Sequence, residues 1–223
     1  MDKRLVSGGI YPIVDADSLS SREADIFAEA VNLLSFKPTL MQIRAKSWAI
    51  GEYEELLLRL CPYAKDAGTL LIANDHVASA AAADCAGVHV GQSDCSVAEI
   101  RDQFPQLLVG LSTHNREQFL KGLESKPDYI ALGPLFSTSS KKNPEPSVGV
   151  SLLSELAPLA EAAGIPLVII GGINSAHFSQ IAPYAPWVAL ISALLKPNQK
   201  GFAISGDHFK TLQALYRSLS KAD

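Results

Sequence analysis

Short apolar runs alternate with longer amphipathic segments along almost the whole chain. Each run is followed by a segment with helical periodicity, and this order indicates repeated β/α units with a parallel sheet. The runs that predict buried strands are residues 10–14, 40–43, 70–73, 87–90, 107–111, 129–132, 167–170 and 188–191.

Small polar residues stand where several helices are predicted to begin, because their side chains can accept a hydrogen bond from a free backbone N–H. At two of these starts a glutamate follows three residues later, which is the spacing of a capping box. The boxes are Ser20 with Glu23 and Ser96 with Glu99, and the single caps are Ser151 and either Asn174 or Ser175. Further helices are predicted at 78–83 and, after a loop with Pro197 and Gly201, near 206–220.

The pattern runs through residues 1–223 with no linker or low-complexity tract, which predicts one domain. Eight β/α units predict a (β/α)8 barrel, although 223 residues is near the lower end of the roughly 200 to 400 residues typical of that fold. An open doubly wound sheet is the alternative. Polar residues recur just beyond the apolar runs, and this favours the barrel because its strand ends converge on one mouth.

Composition narrows the classes of partner. The chain has 19 Lys and Arg against 23 Asp and Glu, a formal charge of -4, which argues against a nucleic-acid or anionic-membrane partner. No apolar run approaches the roughly 20 residues that cross a bilayer. Three cysteines without C-x-x-C spacing argue against a disulfide framework or a zinc site, so we expect reduced thiols and a cytoplasmic protein. The sequence leaves a homo-oligomer open.

The second strand ends in a cationic pattern. Gln42, Arg44 and Lys46 lie on one face if the chain stays extended, since side chains of a strand alternate with period two. Two like charges beside a barrel wall favour a polyanion between them. A solvated strand end is the alternative.

Two aspartates follow the third and fourth strands. Asn74 and Asp75 end one strand, and Asp94 follows the next, so the carboxylates come from adjacent units. Mg²⁺ prefers one or two carboxylates and takes other oxygens from substrate phosphates, so the pair beside a cationic set suits a magnesium-diphosphate site. Each aspartate alone is more typical of a helix cap or a turn than of a metal ligand.

A second anion site is predicted at the late strands. Hydroxyls and a lysine on a long loop suit an oxyanion, and glycines let the backbone approach a phosphate, which barrels often bind beside their last two strands. The alternatives are a polar surface loop and an ordinary glycine turn. The residues concerned are Thr138, Ser139, Ser140, Lys141, Gly171, Gly172, Ile191 and Ser192.

The histidines add little to the predicted binding sites. His89 alternates with Val88 and Val90, and we interpret it as a hydrogen-bonded barrel residue, since no metal-ligand spacing is near it. His114 follows the fifth strand, and a ligand contact there is left open.

The ordered set of motifs resembles the thiamine-phosphate synthase family over most of the chain. Its landmarks are Gln42-x-Arg44-x-Lys46, Asn74-Asp75, GVHVGQSD at 87–94, GLSTH at 110–114, the loop at 138–141 and Gly171-Gly172-Ile173. The resemblance implies a (β/α)8 barrel transferase that couples 4-amino-2-methyl-5-diphosphomethylpyrimidine to a thiazole ethyl phosphate, with or without a carboxylate, and releases diphosphate.

The resemblance also implies residue roles. Gln42 and Asn74 would contact the pyrimidine diphosphate, with Arg44 and Lys46 as its cationic clamp. Ser112 and Lys141 would also contact the pyrimidine substrate, while the late-strand set would hold the thiazole phosphate. Asp75 and Asp94 would be the ligands of Mg²⁺, and Arg44, Lys46, Ser112 and Lys141 the catalytic residues. The family usually has threonine where this chain has Ser140, and we expect the retained hydroxyl to keep the contact.

Two other functions stay open on sequence grounds. A thiazole tautomerase of the same barrel family isomerises the thiazole without a diphosphate partner, and its relatives generally lack the full cationic and carboxylate set. A non-catalytic barrel that binds a phosphorylated metabolite could retain both anion sites, since a shared fold does not prove a shared activity.

Overall fold

Eight parallel strands close into a barrel in the computed structural model, which describes residues 2–20, 25–138, 145–198 and 201–220. Each strand pairs with its neighbours in chain order, and β1 also pairs with β8, which confirms the (β/α)8 barrel and excludes the open sheet. The barrel strands are β1 (Gly9–Asp15), β2 (Leu40–Arg44), β3 (Leu70–Asn74), β4 (Gly87–Val90), β5 (Leu108–Thr113), β6 (Tyr129–Leu132), β7 (Leu167–Ile170) and β8 (Trp187–Leu190).

Helices cover the outside of the barrel and connect its strands. The described helices are α1 (Ala16–Ser20), α2 (Ile26–Leu34), α3 (Ile50–Ala67), α4 (Val77–Ala82), α5 (Val97–Gln103), α6 (Arg116–Glu124), α7 (Gly149–Ala162), α8 (Phe178–Ile181) and α9 (Gly206–Ser220). Short 3₁₀ turns span Lys3–Val6, Ser175–His177 and Ser192–Leu194.

Strand alternation divides the buried side chains into two separate cores. Residues such as Ile10 and Val14 of β1 point outward and pack with the helices, whereas Tyr11 and Ile13 point to the barrel axis. Both faces of every strand are therefore buried, as parallel barrels require, and this explains why the strands read as continuous apolar runs.

The amino-terminal end of the barrel is closed by the chain's own first residues. Leu5, from the first 3₁₀ turn, is fully buried and belongs to the interior core. Its carbonyl accepts a hydrogen bond of 2.7 Å from the indole Nε1 of Trp187, which is the first residue of β8. This contact fixes the segment across the bottom of the barrel.

Several predicted strands shift by one residue at one or both ends, and two elements differ more than that. Strand β5 extends to Thr113, beyond the predicted end at Leu111, because Thr113 pairs with Leu132 and donates a side-chain hydrogen bond to Ala131 O. The loop predicted after β8 is instead an antiparallel hairpin of β9 (Leu195–Asn198) and β10 (Gly201–Ile204). A two-stranded ribbon has only edge strands, so it tolerates the proline that argues against a central strand.

The structure confirms two of the predicted helix caps and contradicts two others. The box at Ser96 and Glu99 is confirmed, and Asn174 caps the second 3₁₀ turn. The cap at Ser20 is wrong because Ser20 ends α1 and Asp25 caps α2; Glu23 lies outside the described residues. Ser151 is also wrong as a cap.

The helix that contains Ser151 begins two residues earlier, at Gly149. There the chain is anchored to the loop after β6, since Val148 N donates to Pro134 O and Gly149 N to Leu135 O, at 2.9 and 3.1 Å. Gly149 has a φ of 73°, a left-handed conformation that suits glycine, so backbone contacts rather than a serine cap set the start of α7.

Gly110 of β5 is needed because its neighbour on β6 approaches closely. An added Cβ would lie 2.0 Å from Cζ of the buried Tyr129 ring. We predict that Gly110→Ala lowers the free energy of unfolding by roughly 1–3 kcal/mol, the usual effect of overpacking, as measured by chemical denaturation. Gly51→Ala on α3 is the control, since its added Cβ meets no atom within 4 Å. Equal stability of the two variants would contradict the close packing.

No described helix has the length and apolarity that crossing a membrane demands. The cysteines carry free thiols, with Cys61 and Cys85 buried and their sulfurs 3.3 Å apart. Cys95 is exposed.

Candidate active site

Polar side chains replace apolar ones at the carboxyl end of the barrel interior. Along β2 and β3 the inward positions pass from Leu40 and Leu70 at the strand start to polar groups near the strand end. A central cavity of about 420 Å³ opens there. It is lined by the predicted residues Gln42, Arg44, Lys46, Asn74, Asp75, Asp94, Ser112 and Ile191.

Arg44 is held by two aspartates of the first unit. It lies opposite Asp15 in the β1–β2 register, and its Nη1 donates to Asp15 Oδ2. The same nitrogen is 4.0 Å from Asp17 Oδ2. Asp17 also accepts the backbone N–H groups of Lys46 and Ser47, at 3.0 and 3.3 Å. Asp15 and Asp17, which lie at the end of β1 and the start of α1, therefore hold the segment that carries Arg44 and Lys46.

Lys46 bridges to the carboxylates of the next units. Its Nζ lies 3.1 Å from Asp75 Oδ2. Burial raises the pKa of the Asp75 carboxyl above its ordinary value; Lys46 acts against this shift, and the nearby Asp94 carboxylate adds to it. Asp94 accepts a hydrogen bond of 2.7 Å from Gly91 N. Both aspartates are turn residues, and they face the same cavity.

The charges around the cations fit a divalent metal. Four carboxylates, from Asp15, Asp17, Asp75 and Asp94, surround two cationic side chains among the residues that the structure describes. The net charge of these described groups is therefore negative, and a further cation would reduce their repulsion of a diphosphate. Within the same residues no group of three or more histidine, cysteine or acidic side chains converges, so a cation here would have two carboxylate ligands and need other oxygens. Mg²⁺ accepts such a site.

Two amides reach the cavity from β2 and β3. Gln42 is buried, and its Nε2 has no hydrogen-bond partner among the described residues. Buried polar groups are rarely left unpaired, so this donor points to a ligand. Asn74 is placed by Tyr53 of α3, whose hydroxyl accepts from Asn74 N at 2.7 Å and donates to Ile43 O at 2.8 Å.

A smaller side cavity of about 70 Å³ adjoins the central one at the late strands. Gly171 and Gly172 have φ values of 100° and 64°, and an added Cβ would lie 2.4 Å from Pro134 Cα or Ser137 O, respectively. The two cavities share Ser112, His114 and Ile191. The predicted residues that line the side cavity are Ser112, Thr138, Gly171, Gly172, Ile191 and Ser192. Ser139, Ser140 and Lys141 lie outside the described residues.

Some residues of the site were not singled out by the sequence pattern. Glu145 is one of them, and it lines both cavities. His114, whose ligand contact the sequence left open, also lines both, and its ring Nδ1 is 2.5 Å from Gly133 O. Asp15 is another, although its place as the last residue of β1 could have suggested a partner on β2. Nothing in the sequence pattern of α3 indicates that Tyr53 reaches the strand ends.

A larger groove of about 610 Å³ lies at the amino-terminal end, lined by residues such as Leu5, Pro166 and Tyr184. It lacks the convergent charges of the central cavity, and barrel enzymes build their sites at the carboxyl ends of the strands.

Comparison with known proteins places these residues in a family context. The family described as thiamine monophosphate synthase matches residues 10–194. A thiamine-phosphate synthase of Laribacter hongkongensis is 34% identical over 195 residues, 86% of this chain and 90% of that protein. One of Koribacter versatilis is 38% identical over 198 residues, 86% and 91% of the two chains. The solved thiamine phosphate pyrophosphorylase of Pyrococcus furiosus superposes with a TM-score of 0.76 at 24% identity, covering 99% of this chain and 98% of that one.

Proposed function

The chain belongs to the thiamine monophosphate synthase family, and from this premise we propose the reaction of its two adjoining cavities. The protein is a transferase, as its named relatives are. We propose that it joins 4-amino-2-methyl-5-diphosphomethylpyrimidine to a thiazole ethyl phosphate, or its carboxylated form, and releases diphosphate.

The observation that carries this proposal is the meeting of Arg44, Lys46, Asp75 and Asp94 in one cavity. They come from three successive units of the chain, and their common location supports a site for a metal-bound diphosphate. The adjoining glycine-walled cavity supports a separate site for a monophosphate. Two phosphorylated substrates would then meet where the cavities share Ser112 and Ile191.

Asp75 and Asp94 would hold Mg²⁺, which when bound supplies electrostatic stabilisation of the negative charge on the diphosphate oxygens. Arg44 and Lys46 would contact the same diphosphate and stabilise its charge as the carbon–oxygen bond breaks. Gln42, Asn74 and Ser112 would bind and orient the pyrimidine. The chemistry needs no nucleophilic side chain, because the electron-rich aminopyrimidine stabilises the positive charge left by diphosphate.

The late strands would orient the second substrate. Thr138, Gly172 and Ser192 line the side cavity and would surround a phosphate there, with Gly171 and Ile191 completing its wall. Ser139, Ser140 and Lys141 remain part of the proposal from their sequence positions. Holding the thiazole nitrogen near the reacting carbon would supply the orientation that such a coupling requires.

We expect purified protein, Mg²⁺ and both heterocycles to form thiamine phosphate and diphosphate in equal amounts, measured by chromatography. Omitting any one component should abolish the product, because the proposed site needs the metal and both substrates. Isomerisation of the thiazole without diphosphate release would identify a tautomerase instead. Binding of either phosphate without turnover would favour the non-catalytic alternative.

A further inference from the structure

A line of hydrogen-bonded side chains crosses the barrel interior beneath the central cavity. The Tyr11 hydroxyl lies 3.0 Å from the Tyr129 hydroxyl, which lies 3.0 Å from Nδ1 of His89. The other ring nitrogen, Nε2, is 2.7 Å from Oγ of Ser112. We call these four residues the interior relay; they come from β1, β6, β4 and β5. His89 is thus hydrogen-bonded, as expected, but it also lines the cavity.

The protein packs this relay tightly, so its groups cannot exchange partners easily. Tyr11 and Tyr129 are 1% and 0% exposed, and their rings meet edge to face with centroids 5.9 Å apart. The His89 ring stacks on Tyr129 at 5.5 Å. Burial raises the pKa of both phenols, so each retains its proton at neutral pH.

The buried end of the interior relay determines which group donates and which accepts in each of its hydrogen bonds. The Tyr11 hydroxyl pairs with the Tyr129 hydroxyl, and the Gln42 side chain lies close enough to oppose the rise in the Tyr11 pKa, as a donor does. An unpaired buried O–H donor costs more than an unused lone pair, so Tyr11 donates to Tyr129. The proton of Tyr129 then goes to Nδ1 of His89, its other hydrogen-bond partner among the described residues.

The tautomer of His89 determines which group donates a hydrogen bond at the cavity. A neutral imidazole has one N–H, so an accepting Nδ1 leaves the proton on Nε2. Nε2 therefore donates to Ser112 Oγ, and the Ser112 hydroxyl proton is not used within the relay. Beside it, Nε2 of Gln42 also lacks an acceptor among the described residues. Ser112 and Gln42 both line the central cavity.

We propose that the interior relay fixes Ser112 as a hydrogen-bond donor to the bound heterocycle, and so selects a ring with a nitrogen acceptor at that position. His89 and Tyr129 are positioning residues that act through Ser112. The ligand class follows from the proposed pyrimidine substrate, but the direction of the relay is a property of the free protein.

The direction is tested first without any ligand. In protein labelled with ¹⁵N-histidine, His89 should show a pyrrole-type Nε2 and a pyridine-type Nδ1, with the signal assigned by its loss in His89→Gln. A pyridine-type Nε2 would overturn the proposal, whatever reaction the protein catalyses.

The selectivity is tested by calorimetry with 4-amino-5-hydroxymethyl-2-methylpyrimidine and its two pyridine analogues, each with one ring nitrogen replaced by C–H. One analogue should bind the wild type roughly 5- to 30-fold more weakly than the pyrimidine, the range for one hydrogen bond, and this difference should disappear in Ser112→Ala. Equal binding of all three rings, or a difference that persists in Ser112→Ala, would overturn the proposal. If the pyrimidine does not bind, the proposed function fails, and the histidine spectrum still decides the relay.

The positioning role is tested by kinetics. His89→Leu should raise KM for the pyrimidine diphosphate more than it lowers kcat, and His89→Gln, whose amide can donate to Ser112, should recover most of the loss. An equal fall of kcat in both variants, with KM unchanged, would mean that His89 only stabilises the fold.

Discussion

Asp94→Asn should lower kcat by roughly 100- to 1,000-fold at saturating pyrimidine diphosphate, the range seen when one preorganised electrostatic contact is lost. The substitution removes a charge beside Asp75 but keeps an oxygen that can accept from Gly91 N. The turn should therefore keep its shape, and the loss should come from weakened binding of Mg²⁺. Steady-state diphosphate release at varied Mg²⁺ measures it.

The matched control is Asp102→Asn, which removes one charge from an exposed position on α5. It should leave kcat and the Mg²⁺ requirement unchanged. We also expect Asp94→Asn to need a higher Mg²⁺ concentration for half-maximal rate. Near-normal turnover by a folded Asp94→Asn protein, with an ordinary Mg²⁺ requirement, would contradict the metal assignment.

Arg44→Met should lower the free energy of unfolding by roughly 3–5 kcal/mol, because it leaves a buried charge without its partner. The Asp15 side chain is 1% exposed, and Arg44 supplies its ion pair. The same variant should lose most of its activity, since Arg44 is proposed to contact the diphosphate. Chemical denaturation and diphosphate release separate these two effects.

The double variant Asp15→Asn with Arg44→Met tests whether stability and catalysis separate. It should recover most of the lost stability, because no uncompensated charge remains, while activity stays low. Arg116→Gln is the control for an exposed ion pair with Glu155 and should cost less than about 1 kcal/mol. Recovery of turnover in the double variant would exclude Arg44 from the diphosphate site.

The barrel was predictable because the same local pattern of buried strand and amphipathic helix repeats in every unit. Each strand is buried on both faces, so it appears as an apolar run, and the polar residues after the runs mark the carboxyl ends. The carboxylates and cations could be grouped for the same reason: β2, β3 and β4 are neighbours in both chain and barrel. The positions of the apolar runs and of the polar residues after them therefore predicted where the central cavity lies.

The long-range pairings were not predictable in the same way. Whether Asp15 meets Arg44 depends on the β1–β2 register, and the contact of Tyr53 with Asn74 depends on how α3 lies across two strands. The relay between Tyr11 and Tyr129 joins residues 118 positions apart. Each of these contacts follows from closure of the barrel, which a single strand pattern does not describe.

The closed amino-terminal end has a kinetic consequence. Because Leu5 and Trp187 seal that end, reactants and products share one opening at the carboxyl-terminal mouth. If the proposed function holds, diphosphate released beside the early strands would leave through the same mouth by which the thiazole phosphate enters. Release of one product would then depend on whether the neighbouring cavity is occupied.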